Sequence, residues 1–551
     1  MFFFQIFKII LRCFLKDCKI ILFSSIDFLI NFNFLINLKK KLKKIQPKIE
    51  NIHKNKKKIL VDCYDNSLLY LYALALHTFP IQKNFNANCI IYSSNFSFTK
   101  SYLFSIFKNN KIVYLDSFFG NLFVVIKNFK TLKIEFKKIQ KIENKFEYKF
   151  DGIEFGKISY DTYLRLQLYG TFKDLSKYRF YLFRSIIHYL NIKKTIEKKI
   201  FVYSGKETQF TPRAVVLQAC LKNSIKSYIV WGPHNKFSVR KYSKFSQRYF
   251  SRNHINKHDF INKKSIENRD SGRMYIKDKY FSKGTNKFLD IQTTFAFGHN
   301  LKKLGKESFL NLLNLDINKK TAVIFAHCVY DGVFATPRKT FDDYYTWLEE
   351  TALCLAKNND INVIIKPHPT ERFRTSFDSC KEIYEKNNLK EIKHIKLLKD
   401  EFHPTTILNV TDFCITANGT AGAEYAAFNI PCITTDYAPY NYCSFNHNFK
   451  NKDQYFFQLM KLPEISNKNE LNYKNDAYNY LNISFKKTKS RNPYFAENKF
   501  LPSNMSIGEE SKFLKKCINL IEESNEEDKR YFYEVYKNYF ENNKFIMFNN
   551  D

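Results

Sequence analysis

Short apolar runs that break off in polar turn residues recur along this chain. Between them lie stretches whose apolar positions fall three and four residues apart. "KKILVDCYDN" (57–66) is the first such run. "SLLYLYALALHTF" follows with helical spacing, and "NCIIYSS" is again a run of strand length. Strand, helix and strand in this order make a βαβ unit, which implies a parallel sheet. "KIVYLDS" (111–117), "KKIFVYSG" (198–205) and "SYIVWGP" (227–233) predict further strands, with "TPRAVVLQACLKN" as a crossover helix. Residues 56–235 thus predict one open α/β sheet.

The alternation resumes after "LGKESFLNLLNLDINKK". "TAVIFAHCVYDG" (321–332) predicts a strand running into a loop. "FDDYYTWLEETALCLAKNN" predicts a helix, with Asp342 and Asp343 in its first turn and Lys357 in its last, as the helix dipole prefers. "INVIIKPHP", "HIKLLKDEFH", "TTILNVTDFCITANG", "TAGAEYAAFN" and "IPCITTDY" continue the pattern. The expected fold class is therefore α/β, with two doubly wound, Rossmann-like domains facing a cleft. The first spans 56–317, with a basic insertion near 235–285 that lacks sustained periodicity. It reads as a solvated surface insertion or as a mobile loop over an anionic acceptor. The second spans 318–450, and a charged, mainly helical tail occupies 451–551.

Residues 1–55 form a separate segment. The stretch from "MFFFQIFKIILRCFLKDCKIILFSS" to "KKKLKK" is apolar, but Lys16, Asp17, Lys19 and Asp27 interrupt it. A spanning helix needs about 20 apolar residues. A helix lying on an anionic leaflet beside a basic patch fits better; a true anchor or a helix packed on the protein are the alternatives. On the first of these readings, removal of residues 1–44 leaves both domains folded.

Composition adjusts this picture in two respects. Lys and Arg number 89 against 53 Asp and Glu, a formal +36. That reflects either a compositional bias or attraction to anions such as lipid headgroups or nucleotide phosphates. No RNA-binding signature or zinc finger accompanies the charge, so nucleic acid is not expected as a partner. The 12 Cys are scattered without a CxxC, which fits a reduced cytoplasmic protein and predicts no metal site.

Candidate chemistry gathers where strands end. In "VIIKPHPTERF" (363–373) a buried-strand pattern stops at Lys366 and His368, which two prolines hold in extended geometry. Open α/β sheets bind ligands at the carboxyl ends of their strands. A lysine charge beside a pre-aimed imidazole suits a phosphate. In "TANGTAGAEYAAFNIPCITT" (416–435), Asn418, Gly419, Thr420, Ala421 and Gly422 predict a tight turn into a helix, with backbone N–H groups and the Thr420 hydroxyl offered to an anion. Glu424, one turn on, is placed to accept from ribose hydroxyls. Alternatively, the small residues serve only to pack the helix on the sheet.

The order "IFAHCVYDG…FDDYYTWLEET…VIIKPHPTE…TANGTAGAEYAAFNIPCI" resembles the donor half of bacterial capsule and surface-polysaccharide glycosyltransferases of the GT-B fold, Kdo-transferase-like enzymes among them. Its HP element is similar to that of sialyltransferases using CMP-sugars, and Lys-x-His-Pro to that of the CDP-glycerol polymerases of teichoic acid synthesis. The resemblance covers residues 321–435; the N-terminal half matches in architecture alone. It implies donor-phosphate contact by His368 and nucleotide binding by Gly419 and Thr420. It also implies a nucleotide-sugar co-substrate, no other cofactor, and a capsular polysaccharide, surface polysaccharide or glycolipid acceptor. The expected location is the cytoplasmic side of the inner membrane, peripherally bound.

No clear counterpart of the polymerases' second histidine motif stands out, which ranks alditol phosphotransfer behind glycosyl transfer. A non-catalytic, membrane-bound assembly protein is the third reading. For an inverting transfer the acceptor hydroxyl needs a base. Asp161 in "GIEFGKISYDTYLR", Glu207 in "SGKETQFTPR" and His234 in "WGPH" are the candidates, each with a cap or a surface charge as its plain alternative. Asp331 in "YDG" reads as shaping the cleft.

Overall fold

The computed structural model describes residues 1–48, 57–65, 67–107, 109–231, 237–249, 255, 257–281, 301–335, 340–372, 378–399, 401–435, 438–449, 451–465, 470–485, 489–490, 492–496, 507–542 and 546–548. They form two compact units. The first comprises Met1–Thr162, Asp174–Arg252 and Thr488–Asp551, and the second Tyr163–Lys173 and Asn253–Lys487.

The first unit opens with two helices, α1 (Phe2–Ile30) and α2 (Phe32–Ile45). Its sheet contains β1 (Lys58–Cys63), β2 (Asn88–Ser93), β3 (Asn109–Tyr114), β4 (Ile200–Lys206), β5 (Lys226–Trp231) and β6 (Phe237–Tyr242), in the order β6-β5-β4-β1-β2-β3. All neighbours are parallel except β5 and β6. β1, β2 and β4 are buried almost throughout, as strands covered on both faces must be. The helices are α3 (Leu68–Phe85), α4 (Phe98–Phe104), α5 (Phe118–Lys127), α6 (Phe129–Gln140), α7 (Phe155–Gln167), α8 (Leu175–Lys199) and α9 (Arg213–Lys222). Ser67 caps α3 by accepting from Tyr70 N–H. α3 is apolar all round, so it must be covered on both sides. The helices Ile507–Glu523 and Glu526–Asn542 join its core through Phe513, Leu514, Cys517 and Tyr536.

The second unit has a wholly parallel sheet: β7 (Lys320–Phe325), β8 (Ile361–Lys366), β9 (Ile395–Leu397), β10 (Phe413–Thr416), β11 (Cys432–Thr435) and β12 (Asn446–Phe449), in the order β12-β11-β10-β7-β8-β9. Helices α10 (Lys257–Lys263) and α11 (Ile266–Phe281) belong to this unit. In the first unit, β13 (Lys489–Ser490) and β14 (Ile546–Phe548) extend the sheet beyond β6. The α/β class and the helical ends therefore match the pattern-based expectation.

The domain limits differ from it. The first boundary falls at Arg252 and not at 317, because the stretch 235–285 is divided. Its start continues the first sheet as β6, while α11 packs in the second unit so closely that a Cβ on Gly272 would overlap the Tyr478 carbonyl. Its described residues are thus packed structure and not one loop. The tail is divided as well, at Lys487, and the short segment Tyr163–Lys173 leaves its sequence neighbours: Gly170 N–H donates to Asp378 Oδ2 at 2.6 Å and Lys173 pairs with the same carboxylate.

The N-terminal segment is also less separate than its composition suggested. Leu35, Leu38, Leu42 and Ile45 of α2 are buried in the core of the first unit, and Lys41 pairs with Glu522. No single helix among the described residues is long and apolar enough to cross a membrane; α1 and α2 pass such a test only as a pair bent by 80°. Removal of residues 1–44 would open this core and unfold the first unit. Leu38→Ala alone is expected to cost about 2–5 kcal/mol, as large-to-small core substitutions do, read as a fall in the urea midpoint. An unchanged midpoint would show that α2 packs only loosely.

Candidate functional site

Each sheet reverses its winding once, and an open α/β sheet binds ligands at the carboxyl ends flanking such a reversal. In the second unit the reversal lies between β7 and β10. β7 ends at Phe325, and the register Phe325↔Lys366 continues one step further through Ala326 N–H to Lys366 O at 3.0 Å. His327 and His368 therefore leave neighbouring strands at the same level. Both are half-buried, as is Lys366. The His327 ring stacks on Tyr344 with centroids 4.4 Å apart and planes at 14°. Asn418 Nδ2 donates to the Tyr344 hydroxyl at 3.1 Å. Tyr344 opens a helix whose cap is Asp343, accepting from Thr346 N–H.

The turn after β10 is held from below. Thr416 Oγ1 accepts from Gly419 N–H at 3.2 Å and donates to Phe325 O at 3.3 Å, and the Tyr440 hydroxyl donates to Gly419 O at 2.5 Å. A Cβ on Gly419 would lie 2.8 Å from Thr416 Oγ1 and 3.4 Å from His327 Nε2, so the turn sits against the histidine. Thr420 is exposed and Ala421 half-buried at the start of the helix Ala421–Ala426. A Cβ on Gly422 would overlap the Tyr440 hydroxyl and Cys432 Sγ, so this glycine serves helix packing on β11. Lys366, His368, Asn418, Gly419 and Thr420 thus stand on the ends of β8 and β10, with His327 and Tyr344 added by the structure. The sequence signal for His327 was present: "FAHC" ends an apolar strand much as "IIKPH" does.

Glu424 faces elsewhere. Its Oε1 takes Lys279 Nζ at 2.7 Å and its Oε2 the Tyr280 hydroxyl at 3.0 Å, both from α11, and it is 6% exposed. The carboxylate placed by sequence on the ribose is in a buried ion pair, because helical spacing fixes the face of a residue but not its partner. Asp331 is exposed and holds its own turn by accepting from Gly332 N–H.

In the first unit the reversal lies between β1 and β4. Arg213, 12% exposed, is shared by three carboxylates there: Asp62 at 2.9 Å, Asp65 at 2.8 Å and Glu207 at 3.3 Å. Lys206 also pairs with Asp65. Burial alone would raise the pKa of Asp65, but Arg213 and Lys206 outweigh it and hold it below the ordinary range. The cavity inside this cluster measures about 20 Å³, room for roughly one water. Glu207, just past β4, has φ +59° and Phe210 has φ +61°. Non-glycine residues in the left-handed region store strain and gather at functional loops. Asp161 is 3% exposed within α7, whose next residue, Thr162, accepts from Thr211 N–H at 2.9 Å. A carboxylate this buried offers no opening to an acceptor, which leaves Glu207 as the base candidate with access. His234 lies outside the described residues.

A second polar cluster closes the end of β3. Asp116, fully buried, takes Arg184 at 2.5 Å, Lys16 at 2.6 Å, the Tyr64 hydroxyl at 2.7 Å and His188 Nε2 at 2.8 Å. Burial would raise its pKa; Arg184, His188 and Lys16 hold it well below the ordinary carboxylate range. Burial pushes His188 down, partly offset by Asp116, and pushes His77 down to about 3. Among the described residues no group of three or more His, Cys, Asp or Glu is placed to hold a metal. No disulfide joins the twelve cysteines, and all but Cys18 and Cys354 are buried.

No protein-family model and no curated protein matches the chain. Among solved structures, the E. coli trehalose-6-phosphate structure bound with UDP-2-fluoro glucose aligns at 11% identity, covering 84% of this chain and 99% of its own, with a TM-score of 0.28. UDP-GlcNAc 2-epimerase from Neisseria meningitidis, bound to UDP-GlcNAc, aligns at 11% identity over the same shares with a TM-score of 0.24. The wall teichoic acid polymerase TagF with CDPG aligns at 10% identity over 92% and 97%, with a TM-score of 0.22. Scores this low assign no family.

Two outcomes follow from this geometry. Gly422→Ala is expected to cost about 1–3 kcal/mol, as overpacking does, and to loosen the Gly419 turn by displacing the Tyr440 hydroxyl; a melting curve and amide exchange at Gly419 would check it. The histidines set a pH dependence. The folded pKa values of His77 and His188 lie below the ordinary 6.5, so the unfolded chain binds more protons as pH falls through 6.5, down to about 3 for His77. Their stabilisation is lost in that window, before Asp116 adds its own loss below about pH 4. The urea midpoint of the first unit should fall between about pH 7 and 5, and His77→Gln should flatten the profile. A flat wild-type profile would contradict this.

Proposed function

We propose that the chain is a glycosyltransferase of the GT-B kind. It takes a sugar from a nucleotide donor, a CMP-sugar or another, and passes it to a growing capsular or surface polysaccharide or a glycolipid. The observation that carries this reading is the meeting of His327, Lys366, His368 and the Asn418–Thr420 turn at the strand ends beside the β7/β10 reversal. The order of these motifs in the sequence supports it.

In this mechanism Lys366 and the two imidazoles bind the donor phosphate and stabilise the negative charge that grows on it as the bond to the sugar breaks. The stacked Tyr344 and the bond from Asn418 keep His327 from turning away. For an inverting transfer Glu207 is the candidate base. The apolar outer face of α1 rests on an anionic membrane, on the cytoplasmic side of the inner membrane, where a lipid-linked acceptor is presented.

One feature favours a second reading. His327 supplies a second histidine beside His368, as transfer of an alditol phosphate from a CDP-alditol would require. The two reactions differ in where phosphorus goes. Glycosyl transfer leaves all donor phosphorus on the nucleotide, whereas phosphotransfer places one phosphorus in the product for each unit added.

His368→Ala and His327→Ala are each expected to abolish turnover while lowering the melting temperature little. Lys366→Ala should weaken nucleotide binding as well, by roughly ten- to a hundredfold, since a hydrogen bond to a charged group is worth about 1.5–3 kcal/mol. Cytidine nucleotides should raise the melting temperature more than UDP, GDP or ATP. Turnover, product phosphorus and thermal shift, measured together, check all three. Normal turnover in His368→Ala would place the donor elsewhere.

A further inference from the structure

We propose that α5 and α6, together with α1, form a single docking face for an anionic lipid bilayer, so that the first unit lies on the membrane through its body and not through an N-terminal appendage alone. This rests on the reading of α1 as membrane-facing and extends it to a part of the chain that sequence composition did not single out.

α1 is amphipathic in the inverted sense. Ile9, Cys13 and Ser24 are buried, and Lys16 and Asp17 are turned toward the protein: Lys16 reaches Asp116, and Asp17 accepts from Asn95 Nδ2 at 2.6 Å and from Phe118 N–H at 2.7 Å. With 3.6 residues per turn, Phe4, Phe7, Leu15, Leu22 and Leu29 then fall on the opposite side, and they are 59–74% exposed. Soluble proteins rarely display so long an apolar stripe without an occupant.

α5 repeats the arrangement. Asn121, Val124 and Val125 are buried, while Phe119, Phe123 and Ile126, on one face at helical spacing, are 79%, 64% and 67% exposed. Rings join the two surfaces. Phe14 of α1 meets Phe118 at 5.6 Å, Phe118 meets Phe119 at 5.1 Å, and Phe3 meets Phe129 of α6 at 5.9 Å. A ten-residue helix is far too short to span a bilayer, so this face lies in the interface.

Charge selects the occupant. The acids of α1, α2, α5 and α6 are Asp17, Asp27 and Glu135, and none is exposed. Glu135 is 5% exposed and bonded to Tyr148 and Lys138. Around the apolar face stand exposed cations: Lys8 and Arg12 on α1, Lys127 on α5, Lys130 and Lys133 on α6. Apolar rings at the centre, with exposed cations and no exposed acid on α1, α2, α5 or α6, match phospholipid headgroups over acyl chains.

The test is co-sedimentation of the full chain with vesicles of phosphatidylglycerol mixed with phosphatidylcholine, and with phosphatidylcholine alone. Wild type should bind the mixed vesicles far more strongly, and less at high salt. The triple variant Phe119→Ser, Phe123→Ser, Ile126→Ser should bind at least roughly tenfold more weakly, since burying even one such side chain is worth that much, with an unchanged melting temperature because all three side chains are exposed. Should that variant misfold, Lys127→Glu with Lys130→Glu gives the same expected loss. A Phe4→Ser, Phe7→Ser, Leu15→Ser variant tests α1 separately. If the α1 variant is released while both the α5 triple variant and the lysine pair bind like wild type, the α5–α6 proposal is overturned and the α1 reading stands. If all of them bind like wild type, both fall. If the triple variant changes only from dimer to monomer, a second copy is the occupant and the proposal is overturned.

Discussion

A carboxylate without solvent exposure at the end of a buried strand is among the most costly groups a fold can contain, and Asp116 is one. Its cost is offset by donors from widely separated places: Lys16 on α1, Tyr64 after β1, and Arg184 and His188 on α8. Removing any one withdraws part of that compensation from a buried carboxylate. The cluster therefore fixes elements that the sequence places up to 172 residues apart, as Lys16 and His188 are. It also fixes the rotation of α1. With Lys16 drawn inward, the apolar side of that helix has nowhere to go but outward. The exposed stripe is a consequence of this buried ion cluster and not of loose packing.

Much of the fold was legible because parallel strands are buried on both faces. Runs such as "KILVDC" and "INVIIK" are apolar without alternation, which leaves few other assignments. The order of strand and helix then yields two open sheets. What the pattern did not contain were long-range partners. α3 is apolar on every side and so announces that something covers it, but the cover comes from helices beyond residue 506. Nothing local in "LYGTFKDL" tells that Gly170 donates to Asp378. Nothing in the composition of 235–285 separates a strand of one sheet from a helix packed with the other.

The candidate site was legible to the same degree. Lys366 and His368 stood out because two prolines frame them, and proline carries a geometric meaning in sequence. His327 ends an apolar run in the same way, but no proline marks it, and the register of β7 with β8 is what sets it level with His368. The turn after β10 was read for its small residues, and the structure separates their tasks: Gly419 lies beside His327, while Gly422 is needed for close approach to Tyr440 and Cys432. Glu424 was assigned by helical spacing to a ligand, and its partners on α11, about 145 residues earlier in the sequence, could not be read at all.

The two reversal points also differ in charge, and this bears on which of them suits a phosphate. In the first sheet, three carboxylates (Asp62, Asp65 and Glu207) surround Arg213 and Lys206. An incoming phosphate would have to break those pairs and then face uncompensated negative charge. In the second sheet, the side chains at the corresponding ends include Lys366, His327, His368 and Asn418, all of them able to donate hydrogen bonds. A phosphate gains there and loses at the first. A neutral hydroxyl has the opposite preference, because it needs an acceptor for its proton. Glu207, 34% exposed on a strained turn and bound to Arg213 by a single 3.3 Å contact, is the carboxylate most easily turned toward one. Desolvation and charge thus suit the second sheet's reversal to an anion and the first sheet's to a neutral hydrogen-bond donor.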